Sequence, residues 1–132
     1  MSVEATKQAM LRYVESEHTD LSMLADDVVF TIMGTGQQRS GPEAVRGMLQ
    51  YFYHIAFDAR AETRVMVFGE NAAVFEGSFV GRHIAEFAGV HPTGNDVRVP
   101  ICVVYDVDAG RIKRGRIYFE MAVLFAQLGS PA

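Results

Sequence analysis

The chain has a single cysteine, an acidic rather than basic charge balance, and no apolar run near the roughly 20 residues that span a bilayer. Each shortage excludes something. With Cys102 alone, no intramolecular disulfide can form, and a reducing compartment is the simpler reading. Twelve Lys and Arg against sixteen Asp and Glu leave a formal net charge of -4, so no broad cationic field exists to attract nucleic acid or an anionic membrane. The opening residues, Met1 to Lys7, lack the apolar core of a signal peptide. The expected location is the cytoplasm. Charged residues are also scarce, at 21% against 49% hydrophobic, which excludes a disordered or solvating chain. The 132 residues fit one domain, 1–132, able to bury about 68–70% of its unfolded surface without staples. Such a composition is apolar for a small monomer.

The apolar residues are distributed with two different periods. Met10, Tyr13 and Val14 among Lys7, Gln8, Arg12 and Glu15 predict a helix over 3–17. A short second helix is expected after Asp20, with Leu21 and Leu24 inward. Val28–Met33 reads as a strand, and 34–41 as a glycine-rich connection. Ser40 and Glu43 have the spacing of a capping box ahead of Pro42, opening a helix that buries Val45, Met48, Leu49, Phe52, Ile55 and Ala56. From Ala59 onward the pattern is β. Runs over 61–68, 73–84, 97–106 and 112–123 are separated by turn chemistry such as His91-Pro92-Thr93-Gly94 and Asp108-Ala109-Gly110. Helices first and hairpins after predict an α+β domain with helices on one face of a curved antiparallel sheet.

The run Val99 to Tyr105 does not alternate, so both its faces are expected to be buried. Helices can cover only one. Phe75, Phe79, Val103 and Tyr118 then need another cover, and a homodimer through the sheet face is the economical answer, set against ordinary scattered surface apolar residues.

Gly81-Arg82-His83 on a long strand, followed by Glu86-Phe87-Ala88-Gly89 and Pro92-Thr93-Gly94, resembles the signature of SnoaL-like polyketide cyclases. The closing stretch Arg116-Ile117-Tyr118-Phe119-Glu120 to Gln127-Leu128-Gly129 is similar to that family's last strand and tail, and Arg12-Tyr13 and Ala25-Asp26-Asp27 extend the likeness over nearly the whole chain. The resemblance implies the nuclear transport factor 2-like superfamily, whose fold is a cone-shaped α+β barrel: a sheet wrapped around about three helices and enclosing an apolar cavity. Its relatives include ketosteroid isomerases and limonene epoxide hydrolases; many dimerise through the sheet. The enzymes among them use cavity carboxylates, whose pKa values burial raises toward neutrality.

Carried over position by position, most of that machinery is absent. The general-base aspartate of ketosteroid isomerases falls on Ile32 and their protonated aspartate on Cys102. Only the oxyanion-hole tyrosine finds a match, in Tyr13. The water-holding tyrosine and asparagine of epoxide hydrolases correspond to Phe30 and Ile32, and the last-strand aspartate to Ile117.

Strand alternation sorts what remains. With Ile117 inward, Phe119 and Met121 follow; Cys102 is expected inward with Pro100 and Val104, and Glu76 and Ser78 with Val74 and Val80. A bulge near Gly77 or Gly81 would exchange that last set with its neighbours. The expected lining is thus Phe30, Ile32, Ser78, Cys102 and Ile117, with Tyr13 either donating to a ligand oxygen or tied up in the core. Glu76 is the candidate base, worth about 10²–10⁴-fold when well placed, or else a solvated rim residue. Cys102 has no activating neighbour and reads as filler.

His83, Glu86 and His91 do not share a face, so no metal is expected; His83 reads instead as ordering the following loop. The segment 34–39 lacks a phosphate-binding fingerprint, and no cofactor is called for. The basic run Arg111, Lys113, Arg114 and Arg116 reads as a solvated hairpin edge, and His54 with Tyr51 and Tyr53 as helix packing or the cavity mouth. The expected ligand is a hydrophobic, carbonyl-bearing small molecule, of polyketide, steroid or terpenoid type, on which the protein acts by proton transfer. The alternative is a non-catalytic, dimeric binding module.

Overall fold

The computed structural model describes residues 2–129; Met1 and residues 130–132, the ends of the expected 1–132 domain, lie outside the described residues. Helix α1 spans Val3–Glu15. The Ser2 hydroxyl accepts from the Ala5 N–H at 3.0 Å, which satisfies one of the free donors at the helix start. Thr6, Met10 and Tyr13, spaced four and three apart, form its buried stripe. The Thr6 hydroxyl donates to the Glu70 carbonyl at 2.7 Å and ties the helix to a sheet turn.

No second helix follows Asp20. The Asp20 carboxylate accepts from both the N–H and the hydroxyl of Ser22, at 3.1 and 2.7 Å, closing a local turn where a helix cap was expected. Leu24 is already in strand β1, Leu24–Ile32. The glycine-rich connection also contains a strand, β2, Gln37–Ser40, paired with β1. That pairing engages Ser40, so the capping box is not made: Gly41, at φ +90°, is the cap of α2, Pro42–Gln50, and no side chain bonds there. A single π-helical turn, Tyr51–Ile55, continues α2, with the Ala56 N–H donating to the Tyr51 carbonyl at 2.8 Å.

Four long strands follow: β3, Phe57–Phe68; β4, Ala72–His83; β5, Asp96–Asp108; and β6, Arg111–Phe119. The last β run is shorter than expected, because from Met121 the chain forms α3, Met121–Gln127. A short apolar run such as Met121 to Phe125 does not reveal its period.

The fold is α+β, with three helices against one face of a curved six-stranded sheet in the order β2-β1-β6-β5-β4-β3. The all-antiparallel barrel is modified in two respects. The sheet is open, with β2 and β3 as its edges, and β1 runs parallel to β6, Ile32 opposite Ile117. Bulges at Thr63/Val65 and Asp106/Val107 bend it around the helices. No described helix is long and apolar enough to cross a membrane.

The register settles which side chains face the helices. Ala73, Phe75, Phe79 and His83 of β4 point inward and are buried, as are Val97, Val99, Val103, Tyr105 and Val107 of β5. The irregularity opposite Gly77 lies on β3, so β4 runs through without a change of phase. The expected burial of both faces of β5 is therefore corrected. Pro100 is exposed and Cys102 and Val104 are half-buried on the outer face. Of the four residues expected to need a partner's cover, only Tyr118 lies outside, at 45% exposure; Phe75, Phe79 and Val103 belong to the core.

Candidate active site

The inner face and the helices enclose an apolar pocket. Strands β1, β5 and β6 supply Phe30, Ile32, Val103, Tyr105, Ile117 and Phe119; the helical side supplies Tyr13, His18, Met48, Phe52 and Tyr53. Met121 at the start of α3 closes one side. The rings meet edge to face, Tyr13 with Tyr105 at 5.9 Å and Phe79 with Phe119 at 5.4 Å between centroids, which suits aromatic quadrupoles. The free space inside is about 60 Å³, a few waters' worth. Drug-sized ligands occupy pockets of about 300–1,000 Å³. A larger occupant must displace flexible side chains such as Met48 and Met121.

Two local features aim residues into this space. The π turn adds a residue to the helix, and Phe52 and Tyr53 from that turn line the pocket. At the exit of α1, Glu17 and His18 both adopt left-handed φ values, +54° and +65°. Non-glycine residues rarely do so, and such strain concentrates at functional sites. The turn folds His18 back beneath α1, its N–H reaching the Tyr13 carbonyl at 3.4 Å. Its ring lies between Tyr13 and Tyr53, at 5.0 and 4.9 Å.

No carboxylate lines the pocket among the described residues; its ionisable groups are three tyrosines and one histidine. Burial pushes the pKa values of Tyr13, Tyr53 and Tyr105 up, so all three keep their protons and can donate. The Tyr13 and Tyr105 hydroxyls also interact with each other. Burial, reinforced by His54, lowers the His18 pKa to about 4, which leaves a neutral imidazole at physiological pH. His18 and Tyr53 also border a neighbouring space of similar size and a surface groove with Arg46, Gln50 and His54, so they stand between the pocket and the outside.

The structure divides the expected site residues into two groups. Tyr13, Phe30, Ile32 and Ile117 line the pocket. Glu76, Ser78 and Cys102 do not: they lie on the opposite face of the sheet, Glu76 beside Cys102 and Cys102 beside Tyr118 across the strands. The expected inward phase of β4 and β5 is thus reversed. The Glu76 carboxylate is exposed, 3.8 Å from the Arg64 guanidinium, and cannot act as a base in the pocket. Desolvation and the nearby Glu76 charge raise the Cys102 thiol pKa, which opposes nucleophilic use.

The other singled-out residues are structural in position. His83 is fully buried outside the pocket lining, and its Nδ1 accepts from the Thr93 N–H at 3.1 Å, holding the 84–95 loop. His91 pairs with Glu86 at 3.7 Å on the surface, and no cluster suited to a metal occurs among the described residues. The basic edge is matched by acids, Arg116 to Asp106 at 2.7 and 3.1 Å and Lys113 to Asp27 at 2.7 and 2.9 Å. Tyr51 reaches the Glu86 carbonyl at 3.3 Å, and His54 lines the surface groove.

Sequence reasoning missed His18 and Tyr105. For Tyr105 a signal exists: Asp96, Arg98, Asp106 and Asp108 occupy the even positions of β5 and Val97, Val99, Val103 and Val107 the odd ones, which turns Tyr105 inward and Cys102 outward. His18 has no such signal, because a left-handed turn has no period.

Comparison with known proteins agrees with this architecture. The SnoaL-like polyketide cyclase model matches residues 7–128. A candidate polyketide cyclase from Xanthomonas campestris pv. campestris superposes with a TM-score of 0.84 at 20% identity, over 95% of this chain and 97% of that one. IdmH, a candidate polyketide cyclase from Streptomyces antibioticus, gives 0.79 at 25% identity, over 94% and 98%. A protein with a ketosteroid isomerase-like fold from Catenulispora acidiphila DSM 44928 gives 0.75 at 14% identity, over 96% and 95%. No curated protein matches the chain. With the family model spanning all but the two ends, the chain belongs to the SnoaL-like polyketide cyclase family.

Proposed function

We propose that the protein takes a hydrophobic, carbonyl-bearing small molecule into the aromatic pocket and promotes proton transfer on it. The observation that carries this reading is the pairing of an apolar, aromatic wall with tyrosine hydroxyls that burial keeps protonated. A carbonyl oxygen directed at Tyr13 receives a hydrogen bond that strengthens as negative charge develops there, the effect that makes oxyanion holes productive. Charge on the ligand oxygen is unscreened in such a site, so one donor acts more strongly than in water.

The test uses 2-naphthol, whose oxygen mimics a dienolate and whose fluorescence reports binding. Saturable binding to the wild type, weakened about tenfold or more in Tyr13→Phe, is the expected result; one hydrogen bond to a charged group is worth about 1.5–3 kcal/mol. No binding to the wild type would defeat the reading.

The absence of a carboxylate from the described pocket lining favours a second reading, a binding module without turnover. The two separate on whether any bound ketone undergoes exchange of its α-hydrogens in deuterated buffer at a rate that a pocket substitution abolishes.

A second copy on the outer sheet face belongs to the same proposal. Val65, Val67 and Tyr118 are exposed there beside half-buried Val74 and Val104, and sedimentation measures whether a dimer forms.

A further inference from the structure

We propose that His18 is the proton acceptor of this pocket, in place of the carboxylates that its described lining lacks. The inference rests on the proton-transfer reading above and adds the group that receives the proton. The geometry supports it in three ways. His18 lines the pocket in company with Tyr13 and Tyr105, so acceptor and oxygen-binding donors face one space. Its ring is held between Tyr13 and Tyr53, at 5.0 and 4.9 Å. Two successive left-handed residues, Glu17 and His18, store backbone strain where the side chain enters, and strain of that kind persists only where the surroundings impose it.

The step balances without a co-reactant. An imidazole nitrogen of His18 takes a proton from the carbon next to the ligand carbonyl. The C–H electron pair becomes the enolate double bond, and the carbonyl π pair moves to the oxygen, which accepts a hydrogen bond from Tyr13. The imidazolium then returns the proton, to another carbon in an isomerisation or to a new alkoxide after intramolecular C–C bond formation. The partition of charge is favourable, since the cation and the enolate form together in a site where opposite charges attract strongly.

The basicity is of the right order. The low proton affinity of His18 keeps it unprotonated and ready at neutral pH. The general-base aspartate of ketosteroid isomerases, which also generates an enolate, works with a pKa of about 4.6. The groups that face or surround His18 are Tyr13 and Glu17 from α1 and its exit, Tyr53 and His54 from the π turn, Tyr105 from β5, and Arg46 and Arg60 at the rim of the adjoining spaces. The three tyrosines stay neutral, and His54 opposes protonation of His18.

The probe is 5-nitrobenzisoxazole, which needs only a base: its ring C–H proton is removed, the C–H pair completes a nitrile, the N–O bond breaks, and a coloured phenolate leaves. The wild type is expected to turn it over with a flat profile from pH 8 to 5.5. His18→Asn, whose side chain tolerates the left-handed backbone, should lose roughly 100-fold in kcat/KM while binding 2-naphthol within threefold of wild type. His18→Gly, which takes a positive φ freely, should regain turnover when imidazole is added. Turnover of His18→Asn within threefold of wild type, no rescue of His18→Gly, or a wild-type rate no better than free imidazole overturns the role of His18 while 2-naphthol binding keeps the pocket reading intact. Failure of the wild type itself to bind 2-naphthol overturns both.

Discussion

Half-buried as a neutral ring, His18 makes stability depend on acid. Its proton affinity in the folded chain corresponds to a pKa of about 4, against 6.5 for the free side chain, with desolvation the larger cause and the His54 charge the smaller. Between those values the unfolded chain binds a proton that the folded chain refuses. Stability from this residue is therefore complete above pH 6.5 and is lost as pH falls toward 4. At about 1.4 kcal/mol per pH unit, the interval amounts to about 3 kcal/mol, a large share of the roughly 5–15 kcal/mol that holds a typical domain together. Urea unfolding of the wild type and of His18→Asn at pH 7, 6, 5 and 4.3 measures it. The other titratable groups are common to the two proteins and cancel in the difference, save His54, whose charge acts on His18, so the same pair of curves is also taken in the His54→Gln background. The gap between the two curves should shift by about 2–3 kcal/mol in favour of the variant as pH falls. Parallel curves would refute the reasoning, as would a His18 ring resonance that titrates near 6.5 in the folded protein.

Two further substitutions check the assignment of faces. Glu76→Gln should leave both 5-nitrobenzisoxazole turnover and urea stability near wild type, within about 0.5 kcal/mol, because it removes only an exposed pair with Arg64. A large loss of turnover would mean that β4 has the opposite phase. Gly115→Ala should destabilise the fold by about 1–3 kcal/mol, since a Cβ there would stand 2.9 Å from the Phe30 ring, which is itself packed against Tyr105; thermal melting reads the loss, and a neutral result would place Phe30 elsewhere.

How much of this was legible in the sequence differs between fold and site. The stripe Met10–Tyr13, the helix after Pro42 and the long β runs carry local periods, and each corresponds to an element. Pairing is not local. Nothing near Ile32 indicates that it lies beside Ile117 across a parallel ladder, because that contact depends on the whole intervening chain. Likewise Ser40 and Glu43 satisfy a capping pattern, but the sheet claims Ser40 first. Tertiary demand outweighs a local preference worth about 1 kcal/mol.

Phase errors matter more at the site than anywhere else, because a shift of one residue moves a whole set of side chains across the sheet. The expected inward phases of Cys102 and Glu76 fail together, since the two residues are opposite each other on β4 and β5. The chain's own pattern points the other way: Asp96, Arg98 and Asp106 share Cys102's face, and Phe75 and Phe79 take the inner positions of β4. Reversing the phase removes the candidate carboxylate and brings Tyr105 beside Tyr13, so the donors multiply as the base disappears. A pocket whose described lining holds protonated tyrosines and no carboxylate can accept a proton only at a group that keeps a free lone pair and stays unprotonated. Among its lining residues that condition is met by His18, delivered from a strained turn where neither helix nor strand periodicity applies.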